Sequence, residues 1–257
     1  MAGRSTEPGV SLLERAARLL RALPGDGEPI GVPALARAAA LPLSTTHRLV
    51  AELARLGALE RRPDGGVSAG LGLWELGERS AVLRRVREAA MPELIELYDR
   101  TSENVHLGVL AGTDVLYIAK ANGKRAIPTL SRVGQRHPLH ATGVGRAILS
   151  TRDAAWLDAY LALPLERETP HTIVDPERLR AVIATEAERG WALTRQEMTL
   201  GNVSIAVPLT ERDGIPPAAI GIVAHSAGAD ETRLLPLLRR AAAAVEARLD
   251  DLEPSTQ

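Results

Sequence analysis

A tight turn between two helical segments constrains the fold of this chain more than any other feature of its sequence. The Ala-rich stretch VPALARAAA (32–40) predicts a short helix, and LSTTHRLVAEL (43–53) opens a second. Leu41-Pro42 separates them, because proline lacks the N–H of a continuing helix and restricts the residue before it. Another helix is predicted over 11–23, so three helices are expected near the start of the chain.

A β-hairpin is predicted to follow these helices. The stretch LGALERRPDGGVSAGL (56–71) contains Asp64-Gly65-Gly66, which is typical of a hairpin tip. Three helices, with a tight turn between the second and third, and then a hairpin is the order of a winged helix-turn-helix. That fold reads the major groove of double-stranded DNA with its recognition helix. We therefore expect the third helix to contact DNA.

The third helix, which we expect to run to Gly57, divides into an apolar and a polar face. At about 100° per residue, one face carries the apolar side chains Leu49, Val50, Leu53 and Leu56. Ser44 is the predicted N-cap, and the free N–H groups at a helix start suit phosphate. The predicted DNA contacts are the polar residues of this helix and of the hairpin: Ser44, Thr45, Thr46, His47, Arg48, Arg55, Arg61 and Arg62. The plainer alternative is a capping serine with solvated arginines.

The composition limits the class of protein. The chain has 257 residues, enough for two domains, and its lack of cysteine excludes disulfides and thiolate metal sites. A net charge of −1 means that contacts with nucleic acid must be local. The N-terminus lacks a signal-peptide pattern, and no apolar run is long enough to span a membrane. We therefore expect a cytoplasmic protein without a membrane partner.

The rest of the chain mixes helices with strands. Residues 71–100 are mostly helical, with an interruption expected at Met91-Pro92 and a domain boundary near Gly77–Ser80. Later strands are predicted at 104–110, 113–120, 202–209 and 218–225, with a candidate at 127–130. Later helices are predicted at 143–150, 152–163, 175–190 and 232–252. This pattern predicts an α+β fold with a mainly antiparallel sheet.

Motifs for catalysis and cofactor binding are incomplete. GVGRAI (143–148) lacks the third glycine of a dinucleotide-binding fingerprint, and AHSAG (224–228) lacks the first glycine of a nucleophile elbow. We therefore expect no enzymatic activity and no cofactor. Four histidines are candidates for converging on a metal, although solvated or capping roles are favoured: His106, His137, His140 and His225.

Several stretches resemble the IclR-type transcriptional regulators, a bacterial family. The first domain contributes SLLERAARLLRAL, LPLSTTHRLVAELARLGALER and LGLWELG, and the second contributes SENVHLGVL, VGQRHPLHATGVGRAILS and RGWALTRQEMTLGNVSIAVPL. Their order along nearly the whole chain is more specific than any single motif. The resemblance implies a winged helix-turn-helix at 1–70, a linker helix at 71–80 and a GAF-like effector-binding and oligomerisation domain at 81–257. It also implies homodimers, or dimers of dimers, on palindromic operators.

Three positions in the first domain depart from the usual pattern of this family. Leu43 stands where a basic residue is usual, which removes one expected phosphate contact. Ala69 and Gly72 stand where a leucine of the wing exit and an arginine of the linker are usual. We expect these replacements to loosen the junction between wing and linker.

The resemblance also implies an effector cavity in the second domain, for an organic acid or an aromatic metabolite. The expected contacts are Leu139, Val144, Gly145, Thr194, Glu197, Asn202, Ser204, Gly221 and Val223. Gly143 and Gly145 are expected to open a helix whose free N–H groups suit a carboxylate. The family often has cysteine at the position of Ser204 and an acidic residue at that of Thr194, so we expect a different, larger or more apolar ligand. Glu197 is equally suited to pairing with Arg195.

These features favour a sequence-specific DNA-binding repressor whose operator binding responds to a small metabolite. A second hypothesis is a small-molecule enzyme whose first domain only binds other proteins. A third is an architectural DNA-binding protein whose second domain binds no ligand. The lack of a complete acid–base or nucleophile motif counts against the second hypothesis.

Overall fold

The computed structural model describes residues 10–25, 27–122 and 131–251 and divides into two compact units, one ending at Ser80 and the other beginning at Ala81. The first unit has four helices and three short strands within the described ranges: α1 (Leu12–Arg21), β1 (Ile30–Gly31), α2 (Val32–Ala38), α3 (Leu43–Arg55), β2 (Leu59–Arg61), β3 (Gly66–Ala69) and α4 (Leu71–Glu78). The strands form an antiparallel sheet in the order β1-β3-β2. The predicted helix-turn-helix and hairpin are both present.

The core of the first unit is aliphatic, because the chain has no phenylalanine. Each helix of the three-helix set and the wing strand β3 contributes a side chain with no solvent exposure: Leu19, Leu35, Val50 and Val67. The helices are therefore held by an apolar centre, and their polar faces remain at the surface.

The start of α3 differs from the prediction by two residues. The helix begins at Leu43 with Pro42 in the N-cap position, so Ser44 is a helical residue and not the cap. Thr46 is fully buried, and its hydroxyl donates to the Pro42 carbonyl at 3.0 Å. Thr46 was therefore wrong as a DNA contact, because its side chain closes the first turn from inside. The helix ends at Arg55 rather than Gly57, and Leu56 is 64% exposed instead of on the apolar face.

Two glycines pack the start of α4 against the beginning of the wing. The N–H groups of Gly70 and Gly72 donate to the carbonyls of Ala58 and Gly57 at 2.9 and 3.0 Å. A Cβ on Gly70 would lie 2.3 Å from the Gly57 oxygen, and one on Gly72 would lie 2.9 Å from it. These positions therefore allow a close backbone contact, where we had expected a loose junction.

The second unit is built on a six-stranded antiparallel sheet in the order β6-β5-β4-β9-β8-β7. Its elements are α5 (Ala81–Thr101), β4 (Asn104–Ala111), β5 (Asp114–Ala121), β6 (Arg136–Pro138), α6 (Gly143–Leu149), α7 (Ala154–Leu161), α8 (Pro176–Arg189), β7 (Ala192–Arg195), β8 (Asn202–Pro208), β9 (Ala218–His225) and α9 (Glu231–Asp251). The predicted α+β class with a mainly antiparallel sheet is confirmed. The candidate strand at 127–130 and the end of the last helix at Leu252 lie outside the described residues.

Apolar clusters cover both faces of this sheet. One cluster joins α5 and α9 to the sheet and includes Leu94 and Leu238, both without solvent exposure. The other joins α6 and α8 to the opposite side chains of the strands and includes Ile148 and Leu179. No helix in the described ranges is long and apolar enough to cross a membrane.

Pro92 does not interrupt α5, which continues to Thr101, so the predicted break there was wrong. A proline inside a helix removes one backbone hydrogen bond and disturbs the preceding turn. Arg248 of α9 donates to the Ala89 carbonyl at 3.2 Å and pairs with Glu93 at 2.8 Å. Packing and side-chain hydrogen bonds from α9 thus stabilise the turn around the proline. Pro236 likewise lies inside α9 without ending it.

Candidate functional sites

The first two turns of α3 form a polar surface on the first unit. Ser44, His47 and Arg48 are exposed there, and Thr45 is partly buried. In the part of the chain that the structure describes, Arg48 forms no ion pair or side-chain hydrogen bond. Its guanidinium can therefore reach a phosphate or a guanine edge without breaking an existing contact.

The wing adds two exposed arginines, Arg61 at the end of β2 and Arg62 in the hairpin turn. His47 of α3 and Arg61 line the same open groove, so the helix and the wing contribute to one surface. Arg55 stands at the other end of α3 and is also exposed. Apart from the buried Thr46, the predicted DNA contacts are therefore accessible to a partner.

Two of these arginines form ion pairs on the surface. Arg55 pairs with Glu52 at 2.9 Å, and Arg62 pairs with Glu60 at 3.5 Å. All four side chains are at least 43% exposed. Such pairs contribute little to stability, about 0–1 kcal/mol, so a phosphate can replace the glutamate at small cost.

A cavity that is partly open to solvent lies at the start of α6 in the second unit. Strands β5 to β9 and the segments between them contribute its walls. The lining residues are Tyr117, Ser131, His137, Ala141, Thr142, Gly143, Thr194, Gln196, Glu197, Met198, Thr199, Asn202, Ser204 and Val223. Most of these side chains carry a hydrogen-bonding group, while most of the exposed cavity surface is apolar, a combination that suits a small ligand with both a polar group and an apolar body.

Five of the nine predicted effector contacts line this cavity: Thr194, Glu197, Asn202, Ser204 and Val223. Glu197 does not pair with Arg195, which pairs with Glu231 instead. Ser204 lies directly against the start of α6, because a Cβ on Gly143 would meet its hydroxyl oxygen at 2.3 Å.

The other four predicted contacts are core residues and do not line the cavity. Leu139 and Val144 belong to the apolar cluster around α6. Gly145 and Gly221 are packed closely, since a Cβ on either would lie within 2.8 Å of a neighbouring atom. The Gly145 N–H is also not free for a carboxylate, because it donates to the Thr142 hydroxyl at 3.1 Å. Glycine at these two positions serves packing.

Sequence reasoning missed the wall formed by β5, β6 and the segment before β6, whereas the segment after β7 belonged to a predicted wall. Tyr117 and His137 come from the two neighbouring strands, and Ser131 precedes β6. Strand β6 has only three residues, too few to show an alternating pattern. In β5, alternate residues such as Val115 and Tyr117 lie on one face of the sheet. This alternation could have predicted that Tyr117 belongs to the wall.

A buried ion cluster lies behind Glu197. Arg146 has no solvent exposure and makes a bidentate contact with Glu186, with both N–O distances at 2.9 Å. A second, weaker contact joins Arg146 to Glu197 at 3.4 Å. Burial raises the pKa of Glu197, and the positive charge of Arg146 opposes this shift. The cluster therefore fixes the orientation of Glu197 at the cavity wall.

Three aromatic rings lie side by side next to the cavity. The Tyr117 ring centroid is 5.0 Å from that of His106 and 5.3 Å from that of His137. The His106 Nε2 atom bonds to the Ser131 hydroxyl at 2.8 Å. Burial is the main cause that lowers the pKa of both imidazoles, to about 3 for His106. Within the described ranges, no group of three or more His, Asp or Glu side chains is arranged to hold a metal.

Two buried threonines hold the segment after β7 in place. Thr169 donates to the Gln196 carbonyl at 2.6 Å, and Thr172 donates to the Glu197 carbonyl at 2.7 Å. Gln196 has a φ of 58°, in the left-handed region that non-glycine residues enter only at a cost. The threonines therefore stabilise a strained stretch of backbone that forms part of the cavity wall.

A winged helix-turn-helix with an accessible basic helix, on the same chain as a sheet domain with a cavity lined by hydrogen-bonding side chains, defines a DNA-binding protein with a small-molecule sensor. Comparison with known proteins agrees with this class. Residues 12–63 match the model of the IclR helix-turn-helix domain, and residues 80–247 match that of the bacterial transcriptional regulator IclR C-terminal domain.

Individual relatives extend over nearly the whole chain. The regulator XynR of Escherichia coli is 30% identical over 229 residues, which is 88% of this chain and 91% of XynR. An IclR homolog from Microbacterium hydrocarbonoxydans, solved in complex with 4-hydroxybenzoate, is 33% identical with a TM-score of 0.85. That alignment covers 94% of this chain and all of the homolog. The IclR structure of Thermotoga maritima is 28% identical with a TM-score of 0.72, over 92% of this chain and 98% of the other.

The chain therefore belongs to the IclR family of transcriptional regulators. It is a DNA-binding regulator whose action is modulated by a small molecule. The hypothesis of an enzyme with a protein-interaction module is not favoured by these similarities.

Proposed function

We propose that this regulator is a repressor that leaves its operator when a small aromatic acid occupies the cavity at the start of α6. The observation that carries the proposal is the cavity itself, whose mainly apolar surface suits an aromatic ring and whose hydroxyl, amide and imidazole groups suit a carboxylate. The similarity to the homolog solved with 4-hydroxybenzoate supports the aromatic acid class. Thr194, Asn202 and Ser204 are proposed to contact the ligand.

We further propose that the DNA contacts are the accessible polar residues of α3 and the wing: Ser44, Thr45, His47, Arg48, Arg55, Arg61 and Arg62. A helix start with hydroxyl and basic side chains matches the base edges and phosphates of the major groove. Leu43 is 47% exposed at the first position of α3 and cannot bind phosphate. Binding is therefore proposed to depend on the arginines.

The proposed domain organisation is a DNA-binding domain at 1–70, a linker helix at 71–80 and an effector-binding and oligomerisation domain at 81–257. The described residues of α4 support a role in pairing with a second copy. Leu71, Trp74 and Leu76 of this helix are 80, 67 and 63% exposed, and large exposed apolar side chains favour association. We propose a homodimer or dimer of dimers that acts in the cytoplasm, where operator DNA is found, without catalytic turnover.

The DNA contacts are tested by removing one guanidinium. Arg48→Ala is expected to abolish binding to an operator selected from random duplexes, while the unfolding midpoint of the protein stays unchanged. Arg178→Ala removes an exposed arginine of the second unit and serves as the matched control. Fluorescence anisotropy with labelled duplex gives both affinities. Equal affinities for the two variants would remove Arg48 from the contact set.

The effector class is tested with the same labelled operator. Addition of 4-hydroxybenzoate is expected to weaken operator binding by the wild-type protein, and Asn202→Leu is expected to reduce this response without changing the affinity for DNA alone. A regulator that binds the operator equally well at all concentrations of 4-hydroxybenzoate and of related aromatic acids would contradict the proposed class.

A further inference from the structure

We propose that His137 recognises the acidic group of the effector, and that one proton is taken up from solvent when the effector binds. This inference rests on the proposed function, because it takes an aromatic acid as the ligand. His137 thereby makes the cavity bind an acid more tightly than the uncharged analogue of that acid.

His137 lies on the cavity wall in a position suited to this role. It stands on β6 opposite Val115 of β5, and its ring packs against Tyr117 with centroids 5.3 Å apart. Its Nε2 atom is buried and has no hydrogen-bond partner among the described residues. A buried nitrogen without a hydrogen-bond partner is unfavourable. A ligand oxygen that reaches this imidazole therefore forms a hydrogen bond that the described residues do not supply.

The charges of the cavity leave His137 as the group that can meet an anion. Its described lining contains one carboxylate, Glu197, one imidazole, His137, and no lysine or arginine. Arg146 lies behind the wall with no solvent exposure and is bonded to Glu186 and Glu197. A carboxylate in the cavity therefore has a cation beside it when His137 is protonated.

The groups around His137 favour the neutral imidazole in the free protein. Burial lowers its pKa, and the negative charge of Asp114 on β5 opposes this shift in part. Asp114 is itself 3.7 Å from Arg136. Burial lowers the pKa of His106 on β4 to about 3 and raises that of Tyr117, so neither ring is charged near neutral pH. Lys120 of β5 lies beside His106 and donates to the Ser131 carbonyl at 3.1 Å, and its positive charge also favours the neutral form of that imidazole.

Binding of a carboxylate beside the ring reverses this preference. The anion stabilises the imidazolium and raises the pKa of His137 in the complex, so the ring takes up a proton from solvent while the ligand stays ionised. Because the protonated form binds more tightly, the affinity rises as the pH falls. Between the pKa values of the free and bound ring, the change approaches about tenfold per pH unit.

The test is isothermal titration of the full-length protein with 4-hydroxybenzoate between pH 6 and 8.5, in two buffers with different ionisation enthalpies. The wild-type protein is expected to take up about one proton and to lose affinity as the pH rises. The uncharged analogue 4-hydroxybenzamide is expected to bind with no proton uptake. His137→Gln should abolish the proton uptake, whereas His171→Gln, at an exposed histidine of the same unit, should retain it.

Ring-nitrogen NMR of the wild-type protein gives an answer that does not depend on a variant folding. The His137 signals should move to the imidazolium position when 4-hydroxybenzoate is added at pH 7. Proton uptake that persists in His137→Gln would assign the proton to Glu197 and overturn the inference. Binding without proton uptake would overturn the inference and leave the effector class standing, whereas the absence of any aromatic-acid binding would overturn both.

Discussion

Ala40, at the end of α2, is a strained residue in the turn of the helix-turn-helix. Its φ is 52°, in the left-handed region that costs an L-residue about 1–2 kcal/mol. Glycine enters this region freely. It also increases the conformational entropy of the unfolded chain, which lowers the free energy of unfolding by about 0.4–1 kcal/mol. Ala40→Gly is therefore expected to stabilise the first unit by about 0.5–1 kcal/mol, measured by denaturant unfolding.

Ala51→Gly is the matched control for this substitution, because Ala51 is exposed in the middle of α3 and has helical geometry. It is expected to destabilise the first unit by about 1 kcal/mol. The two variants make the same chemical change and should shift the midpoint in opposite directions. A loss of stability in Ala40→Gly would mean that the turn is not strained in solution.

At the scale of single residues, the sequence predicted positions better than roles. The polar face of α3 was read correctly for His47 and Arg48, which are exposed. Thr46 was predicted to contact DNA although the helical spacing places it beside the apolar face, and its hydroxyl donates to the carbonyl four residues earlier. The helical spacing was therefore a better guide to its burial than its residue type.

At the scale of elements, the close contact between α4 and the wing gives a paired prediction. Gly70→Ala places a Cβ 2.3 Å from the Gly57 oxygen, which requires the backbone to move. Overpacking of this kind costs about 1–3 kcal/mol, so the first unit should unfold at lower denaturant concentration. Gly77→Ala adds a Cβ inside α4, the helix that Gly70 precedes, with nothing within 4 Å of it, and it should stabilise the protein by up to about 1 kcal/mol. Equal effects of both variants would show that the contact at Gly70 is not tight.

The threonine contacts that hold the segment after β7 are a second element whose role can be measured. Thr172→Val keeps the shape of the side chain but removes the hydroxyl, which leaves the Glu197 carbonyl without its 2.7 Å donor. Because loss of a buried hydrogen bond costs about 1–3 kcal/mol, we expect weaker binding of 4-hydroxybenzoate and a lower unfolding midpoint. Thr172→Ser should restore both, and failure of serine to do so would assign the effect to packing of the methyl group.

The success of sequence reasoning at this scale followed the length of each element. The strands β4, β5, β8 and β9 have seven or eight residues and show clear apolar patterns, so all four were predicted. The strands β1, β6 and β7 have two to four residues and were missed, because so short a run has no measurable period and is set by pairing with its neighbours. The equally short β2 and β3 were predicted only because the turn residues Asp64-Gly65-Gly66 lie between them. The cavity wall that depends on β6 was missed for the same reason.

At the scale of the whole molecule, the sequence specified the class of protein but not its ligand. A net charge of −1 gave no sign of DNA binding, and the order of the predicted elements did. The cavity-lining residues on β7 and β8 were predicted through the resemblance of a long stretch, whereas four of the nine predicted effector contacts are core residues. Which side chains of an apolar strand face a cavity depends on how the covering helix is placed, and one sequence does not contain that information.

The last prediction concerns the energetic link between the two functions. If 4-hydroxybenzoate weakens operator binding by a given factor, the operator must weaken binding of 4-hydroxybenzoate by the same factor, since coupling free energies are reciprocal. We expect a factor on the order of 5–150, measured by anisotropy with saturating ligand and by calorimetry with saturating duplex. In Arg48→Ala the ligand affinity should be unaffected by duplex, because this variant no longer binds it. Unequal factors would indicate that a further equilibrium, such as a change of oligomeric state, accompanies one of the two binding events.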